Sequence, residues 1–373
     1  MMKHAFTRLG VKAIVALSVG LGAWTSGEAQ RLYWLDLPSS SEGVDVSLNG
    51  VVVGNYINPQ GYTRAFRWNP RQNQFTDLGT LNNTCCAHAV AVSVDGNIIV
   101  GRSNNKTFRW TPASGMVVIY DYWYFTAHGM SSSGNTVAGV YINPNLPSFI
   151  HGAIWTPTGL TTTSSDYAFH GISPDGTVAV GQNTFRNEGI YYIVASQRIL
   201  NIPHLPNGSQ TRPRAASASG DVIVGVAKDA QGRDRAFRWR QTTGTVDLGA
   251  LVSTSSAWDV TGDGGTVVGY SPNAFGLPRA VRWDANGNIE DLNVAYANLV
   301  RDGSYLIEAR AISLDGRFIT GYGYNAQTGL MQAFLLDTGN VPSPPRADVN
   351  NDCVVDDADL LEVLFSFGTG CGG

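Results

Sequence analysis

The sequence predicts an all-β fold: a seven-bladed β-propeller closed by its N-terminal strand, with a small C-terminal calcium loop-helix module. Three observations predict it. A motif of Ser or Thr, two residues, Gly, an apolar run and a second Gly recurs seven times. Glycine makes up 43 of the 373 residues, so turns must be frequent, and residues 31–337 show no helical periodicity.

The seven copies end at Gly54, Gly101, Gly139, Gly181, Gly225, Gly269 and Gly321, about 38 to 52 residues apart. Each unit continues with a second signature, clearest in RAFRW ending at Trp68, KTFRW at Trp110, RAFRW at Trp239 and RAVRW at Trp283, and weaker in HGAIW at Trp155. An Asp-Leu pair follows at Asp77-Leu78, Asp247-Leu248 and Asp291-Leu292. Short apolar runs divided by Asp-Gly, Ser-Gly and Asn-Gly turns read as antiparallel hairpins, four strands to a unit. Four strands every 44 residues or so is a propeller blade; the competing β-solenoid usually has shorter coils.

Ring closure has its own signal. The seventh unit runs into a proline-rich segment without its Asp-Leu strand, while RLYWLDL near the N-terminus offers Asp36-Leu37. The first strand is therefore expected to complete the last blade, which leaves no free sheet edge.

Composition narrows the function. Only 14% of residues are charged, against roughly 25% in ordinary domains, and no basic stretch is present to neutralise phosphates, so a nucleic-acid partner is not expected. Lys3, Arg8 and Lys12 precede an apolar run from Ala13 to Ala23 and a small-x-small site at Gly27-Glu28-Ala29. That run is too short for a transmembrane anchor and reads as a cleaved secretory signal. The expected division is 1–29 signal peptide, 30–338 propeller, 339–347 proline-rich linker and 348–373 calcium module, in a protein that is secreted or otherwise extracytoplasmic, at the cell surface or in the periplasm. Export makes disulfides admissible. Cys353 to Cys371 is the simplest local pairing, worth about 3 kcal/mol on the chain-entropy model. Cys85-Cys86 could close a vicinal ring, stay reduced or reach the tail, and four cysteines allow three full pairings.

The AFRW, DLG and GxxVVG elements, as in RAFRWNPRQNQFTDLGTL, resemble the extracellular HAF-repeat family over residues 31–337. The resemblance implies repeat architecture and export; it carries no reaction.

Comparison of the seven units singles out columns. Arg67, Arg238 and Arg282, each just before its tryptophan, are expected to pair across strands with Asp77, Asp247 and Asp291. The tryptophans share a face with Phe66, Phe108 and Phe237 and read as core between blades. Loops from second to third strand, and from one unit to the next, vary most in length. In a propeller both sets emerge on one face, where binding would be built.

Three residues before each repeated Ser or Thr, where an innermost strand starts from that face, stand Val44, Val90, His128, His170, Arg214, Trp258 and Arg310. His128, His170, Arg214, Trp258 and Arg310 are candidate binders of a small anionic or sugar-like ligand, with His and Arg as donors; the bland alternative is hydrogen bonding to neighbouring blades. Trp123, in the run Tyr120, Tyr122, Trp123, Tyr124 and Phe125, is a further candidate for stacking on carbohydrate or on a partner. For catalysis the weak candidates are Asp45, Asp259 and Glu308 as a carboxylate pair, or His128 and His170 with an arginine. No GxSxG, metal triad or phosphate loop occurs, and no catalytic residue is assigned.

The tail carries the most specific chemical signal. DVNNDCVVDDAD places Asp348, Asn350, Asp352, Asp356 and Asp359 at loop positions 1, 3, 5, 9 and 12, with the Val354 carbonyl at 7, a spacing that wraps one Ca²⁺. With the apolar LLEVLFSFG that follows, it looks like one calcium repeat of a type I dockerin. Dockerins pair two such repeats to bind cohesin and this chain has one, so the resemblance does not carry cohesin binding over. The combined expectation is an exported binding or interaction propeller, its partner a carbohydrate or an envelope protein, with a calcium-stabilised attachment element. The alternatives are a carbohydrate-active hydrolase or lyase on the same scaffold, and a structural cell-envelope protein.

Overall fold

A computed structural model describes residues 29–83, 85–120, 124–145 and 149–339. Seven four-stranded antiparallel sheets stand around a central channel. Blades one to six span 41–77, 87–120, 125–165, 167–202, 211–247 and 256–291, and blade seven combines 305–337 with 31–34. Strands are lettered a (innermost) to d within each blade. Among the described residues the fold is all-β apart from a 3-10 turn at Leu81–Asn83 and one helical turn at Leu292–Ala295, capped by the Asp291 carboxylate. The expected signal peptide, linker and calcium module lie outside the described residues.

The repeated Ser or Thr and first Gly build the a–b turn. In blade one the Val51 N–H donates to Ser47 Oγ at 2.9 Å, and Gly50, at φ 82, donates to the Ser47 carbonyl. The same hydroxyl staple recurs from Val178 to Ser173 and from Phe318 to Ser313. These turns also bond to one another around the floor of the ring, from Leu48 N–H to the Val94 carbonyl in blade two and onward to Gly262 N–H on Leu314 of blade seven. Among the described residues no such bond returns from blade seven to blade one.

The second glycine has a different cause. In every blade strand a bulges immediately after the residue paired with that glycine, as between Gly43 and Asp45 opposite Gly54, and between Phe169 and Gly171 opposite Gly181. The bulge drives a strand-a carbonyl onto the glycine: a Cβ on Gly54 would overlap the Glu42 carbonyl oxygen, and one on Gly181 that of Ala168. The skipped residues are Val44, Val90, His128, His170, Arg214, Trp258 and Arg310.

The N-terminal strand closes blade seven, in a register two residues from the expected one. Trp34 pairs with Phe334, and the Leu35 N–H donates to the Ala333 carbonyl as Leu78 does to Ala65 in blade one. Trp34-Leu35 therefore occupies the Asp-Leu place and Asp36-Leu37 follows it. The reason is burial: Leu35 lies with Phe66, Phe318 and Leu335 in the core between blades one and seven, while Leu37 is only half-buried.

The Arg–Asp column is corrected likewise. Asp77 is opposite Phe66, so it shares a face with Arg64 and not with Arg67. The ion pairs are Arg64–Asp77 at 3.0 Å, Arg235–Asp247 at 2.9 Å and Arg279–Asp291 at 3.7 Å. Arg67 and Arg238 instead donate to floor-turn carbonyls of the next blade, Gly96 and Gly265, while Arg282 pairs with Glu290. The tryptophans do pack as core: Trp68, Trp110, Trp239 and Trp283 are buried and Trp155 is half-buried.

The register gives a test. Leu35→Ala should cost about 2–5 kcal/mol in urea denaturation, as for a buried leucine, and Leu37→Ala less than half as much. Equal costs would contradict the Trp34-Leu35 alignment.

Candidate functional site

The seven bulged residues project into the channel at one level and form a collar. Above it, toward the variable loops, opens a chamber of about 680 Å³; below it lies a smaller one of about 180 Å³. Only the collar residues line both. The b–c and d–a connections emerge on the upper face, as the loop lengths imply.

The two collar histidines are clamped by the following blade. His128 Nδ1 lies 2.7 Å from the Phe169 carbonyl and His170 Nδ1 lies 3.0 Å from that of Pro213. A carbonyl only accepts, so each Nδ1 carries the proton, and in the neutral ring Nε2 is left as an acceptor. Burial is the main force lowering both pKa values, and the nearby cations add to it: Arg102 acts on His128, and Arg214 and Arg212 act on His170, which falls to about 4. At neutral pH each ring therefore donates from Nδ1 to the neighbouring blade and offers Nε2 as an acceptor. The hydrogen bond to a neighbouring blade and an exposed polar edge coexist in the same side chain.

Arg214, Trp258 and Arg310, from blades five, six and seven, stack in succession. The guanidinium carbons of Arg214 and Arg310 lie 3.4 and 4.7 Å from the Trp258 ring centroid, which leaves little of that ring free as a sugar platform. Arg310 also meets Glu308 at 3.3 Å and Glu42 at 3.7 Å, and Glu308 accepts from the Tyr322 hydroxyl. Burial lowers the Arg214 pKa to about 10, so it remains a cation.

Of the carboxylate candidates, Asp45 and Asp259 share a chamber and Glu308 is apart from them. Asp45 and Asp259 line the lower chamber, whereas Glu308 belongs to the upper side among Arg310 and Tyr322. Each aspartate bridges two blades: Asp45 accepts from the N–H groups of Val46 and Val92, and Asp259 from those of Val260 and Ile312, at 2.8 to 2.9 Å. Desolvation raises Asp45 to about 7, helped by the charge of Asp259, and raises Asp259 to about 6.

Several chamber residues were not singled out from sequence. Arg102 and Gln182 follow the second glycine on strand b; His88 and Arg212 stand two residues before the collar position on strand a. The signal was available, since these are the positions flanking the glycine and the bulge in each repeat. Of the aromatic run, Tyr120 packs edge-on against Phe125 and Tyr141, while Trp123 lies outside the described residues. Among the described residues Cys85 and Cys86 form no disulfide, with each other or otherwise, and Cys353 and Cys371 lie outside those residues. Among the described residues no three His, Cys, Asp or Glu side chains gather as a metal site, and no helix is long and apolar enough to cross a membrane.

No family model and no curated protein matches the chain. Solved structures do. The β-propeller domain of the Trilobed protease from Pyrococcus furiosus is 11% identical, with 80% of this chain and 93% of that one covered at a TM-score of 0.53. A prolyl endopeptidase structure is 12% identical over 82% of this chain and 51% of that one, at 0.52. A putative TolB from Agrobacterium tumefaciens is 14% identical over 84% and 100%, at 0.47. At these identities the likeness shows the propeller fold alone. The Pyrococcus domain is described as an open velcro, whereas this ring is strapped by residues 31–34.

The buried aspartate carries a pH dependence whose sign follows from its raised pKa. Between about pH 4 and 7 the folded chain holds a proton on Asp45 that the unfolded chain has released, so this contribution to stability is full below about 4 and is lost as pH rises through 7. Asp45→Asn has no charge to desolvate. Its Tm relative to the parent should climb by about 2 °C or more from pH 5 to pH 8 in scanning fluorimetry; a flat difference would contradict burial as the cause.

Proposed function

We propose that this chain is an exported binding propeller that takes its ligand in the chamber above the collar, and that residues 348–373 form a calcium-stabilised attachment module. The observation that carries the binding reading is the chamber itself. It is a concave site on the loop face, walled by three arginines with no carboxylate partner among the described residues, Arg102, Arg212 and Arg214, and by two histidines with their Nε2 edges unpartnered. Two phenylalanines on b–c loops of the same face, Phe185 and Phe275, are 83% and 87% exposed, which suits contact with a partner around the mouth. Binding is favoured over a hydrolase or lyase because Asp45, Asp259, Glu308, His128 and His170 each hold a neighbouring group, and Asp45 and Asp259, which share the lower chamber, have both carboxylates committed to backbone N–H groups of two blades. Export rests on the basic, apolar and small-residue order of 1–29. The metal reading rests on the oxygen spacing from Asp348 to Asp359.

Thr126 lines the mouth on blade three, and a tryptophan there would plug it. In a thermal-shift screen of saccharides, organic acids and peptides, compounds that protect the parent should fail to protect Thr126→Trp. Equal protection of both would contradict the mouth as the site. For the tail, calorimetric titration of the full chain should show one Ca²⁺ bound, and Asp348→Ala should abolish it; no heat in the parent, or heat unchanged in the variant, would contradict the metal assignment.

A further inference from the structure

The chamber's polar groups are mixed in a way that narrows the ligand. We infer that it is a hydroxyl-bearing carboxylic acid, a sugar acid in chemical class, whose carboxylate meets the arginine arc and whose hydroxyls donate to the collar histidines. The inference rests on the reading of the mouth as the binding site and deepens it.

Three of the four arginines that line the chamber have no ion pair among the described residues. Arg310 is taken up by Glu308 and Glu42 on the side where the ring closes. On the other side of the Trp258 indole, Arg214 donates among the described residues only to Ser256 Oγ, at 3.3 Å, and Arg212 only to Gln210. The Arg102 side chain is exposed, and its guanidinium has neither an ion pair nor a hydrogen bond among the described residues. Three guanidiniums without an ion pair outnumber Glu42, the one carboxylate among the chamber's lining residues, which Arg310 already engages, so the chamber calls for an anion.

Between these cations, on blades three and four, lie acceptors. His128 and His170, their ring centroids 6.2 Å apart, have Nδ1–H committed to backbone carbonyls and present Nε2 lone pairs. The Gln182 Oε1 on the same wall is buried without a partner, as is the Trp258 indole N–H donor. An anion with no O–H, such as acetate, would satisfy the arginines and leave these acceptors unmet. A neutral sugar would satisfy the acceptors and leave the cations unpaired. Only a molecule with both groups answers both, and a volume of about 680 Å³ is of ordinary size for a small-molecule site. Because the collar rings stay neutral at pH 7, they favour a hydroxyl donor over a second anionic oxygen.

The test is calorimetry on the full chain with D-glucuronate, D-galacturonate and D-gluconate, against methyl glucoside, acetate and inorganic phosphate. At least one of the three acids should bind at least tenfold more tightly than every control. Arg102→Gln, a change at an exposed side chain that leaves the fold intact, should weaken it about tenfold, as should His170→Phe. Binding of none of the three acids, a control binding as tightly, or affinity unchanged in both variants would overturn the inference. Thr126→Trp separates the two levels. A control that binds and is blocked by the plug sinks the ligand class but keeps the mouth as the site; an acid that binds despite the plug sinks both.

Discussion

One backbone constraint underlies the fold and the site together: in every blade the innermost strand carries a bulge whose displaced carbonyl leaves no room for a Cβ on the strand beside it. That contact explains why the repeat ends in glycine, and the same bulge frees one residue from the ladder and turns it toward the axis. Seven bulges at one level make a collar. The collar residues are the least constrained by strand pairing, so Val, His, Arg and Trp can occupy one column without disturbing the architecture around them.

Ring closure decides which part of the collar is open. Six blade junctions share the floor hydrogen bonds, and the junction of blades seven and one lacks one among the described residues. It is held instead by the 31–34 strand, by Arg71 on Asp337 at 2.6 Å, by Gln332 on the Leu37 carbonyl and by the Glu42–Arg310–Glu308 group. Those acids are engaged in closing the ring, and the arginine and histidine arc of blades two to five faces them across the channel. The asymmetry of the chamber follows from how the chain's two ends meet.

Much of this was legible in the sequence. Seven Ser/Thr–Gly–Gly repeats gave the blade count, the absent last strand gave the strap, and three residues before each Ser or Thr gave the collar. The errors were errors of phase. Arg67 was matched to Asp77 by order along the chain, but alternation puts Asp77 on the face of Arg64. Asp36-Leu37 matched the motif by letters, whereas burial of Leu35 sets the register. Asp45 and Glu308 were grouped because their blades are neighbours, and only height along the channel separates them. Arg102, Arg212 and Gln182 stand at fixed offsets from the repeated glycine and the collar position, but only the bulge shows that those offsets reach the axis. The histidine tautomers were not legible for a similar reason: the carbonyl that fixes each one belongs to the next blade, about 40 residues away in the chain.

The central claim is that the bulge holds two neutral histidines by Nδ1 against the next blade and presents Nε2 to the channel. Nitrogen-15 NMR of the imidazoles, assigned with His128→Gln and His170→Gln, measures this directly. The account predicts Nδ1–H tautomers for both rings at pH 7, with His170 still neutral at pH 5. An Nε2–H tautomer, or an imidazolium at pH 7, would contradict it.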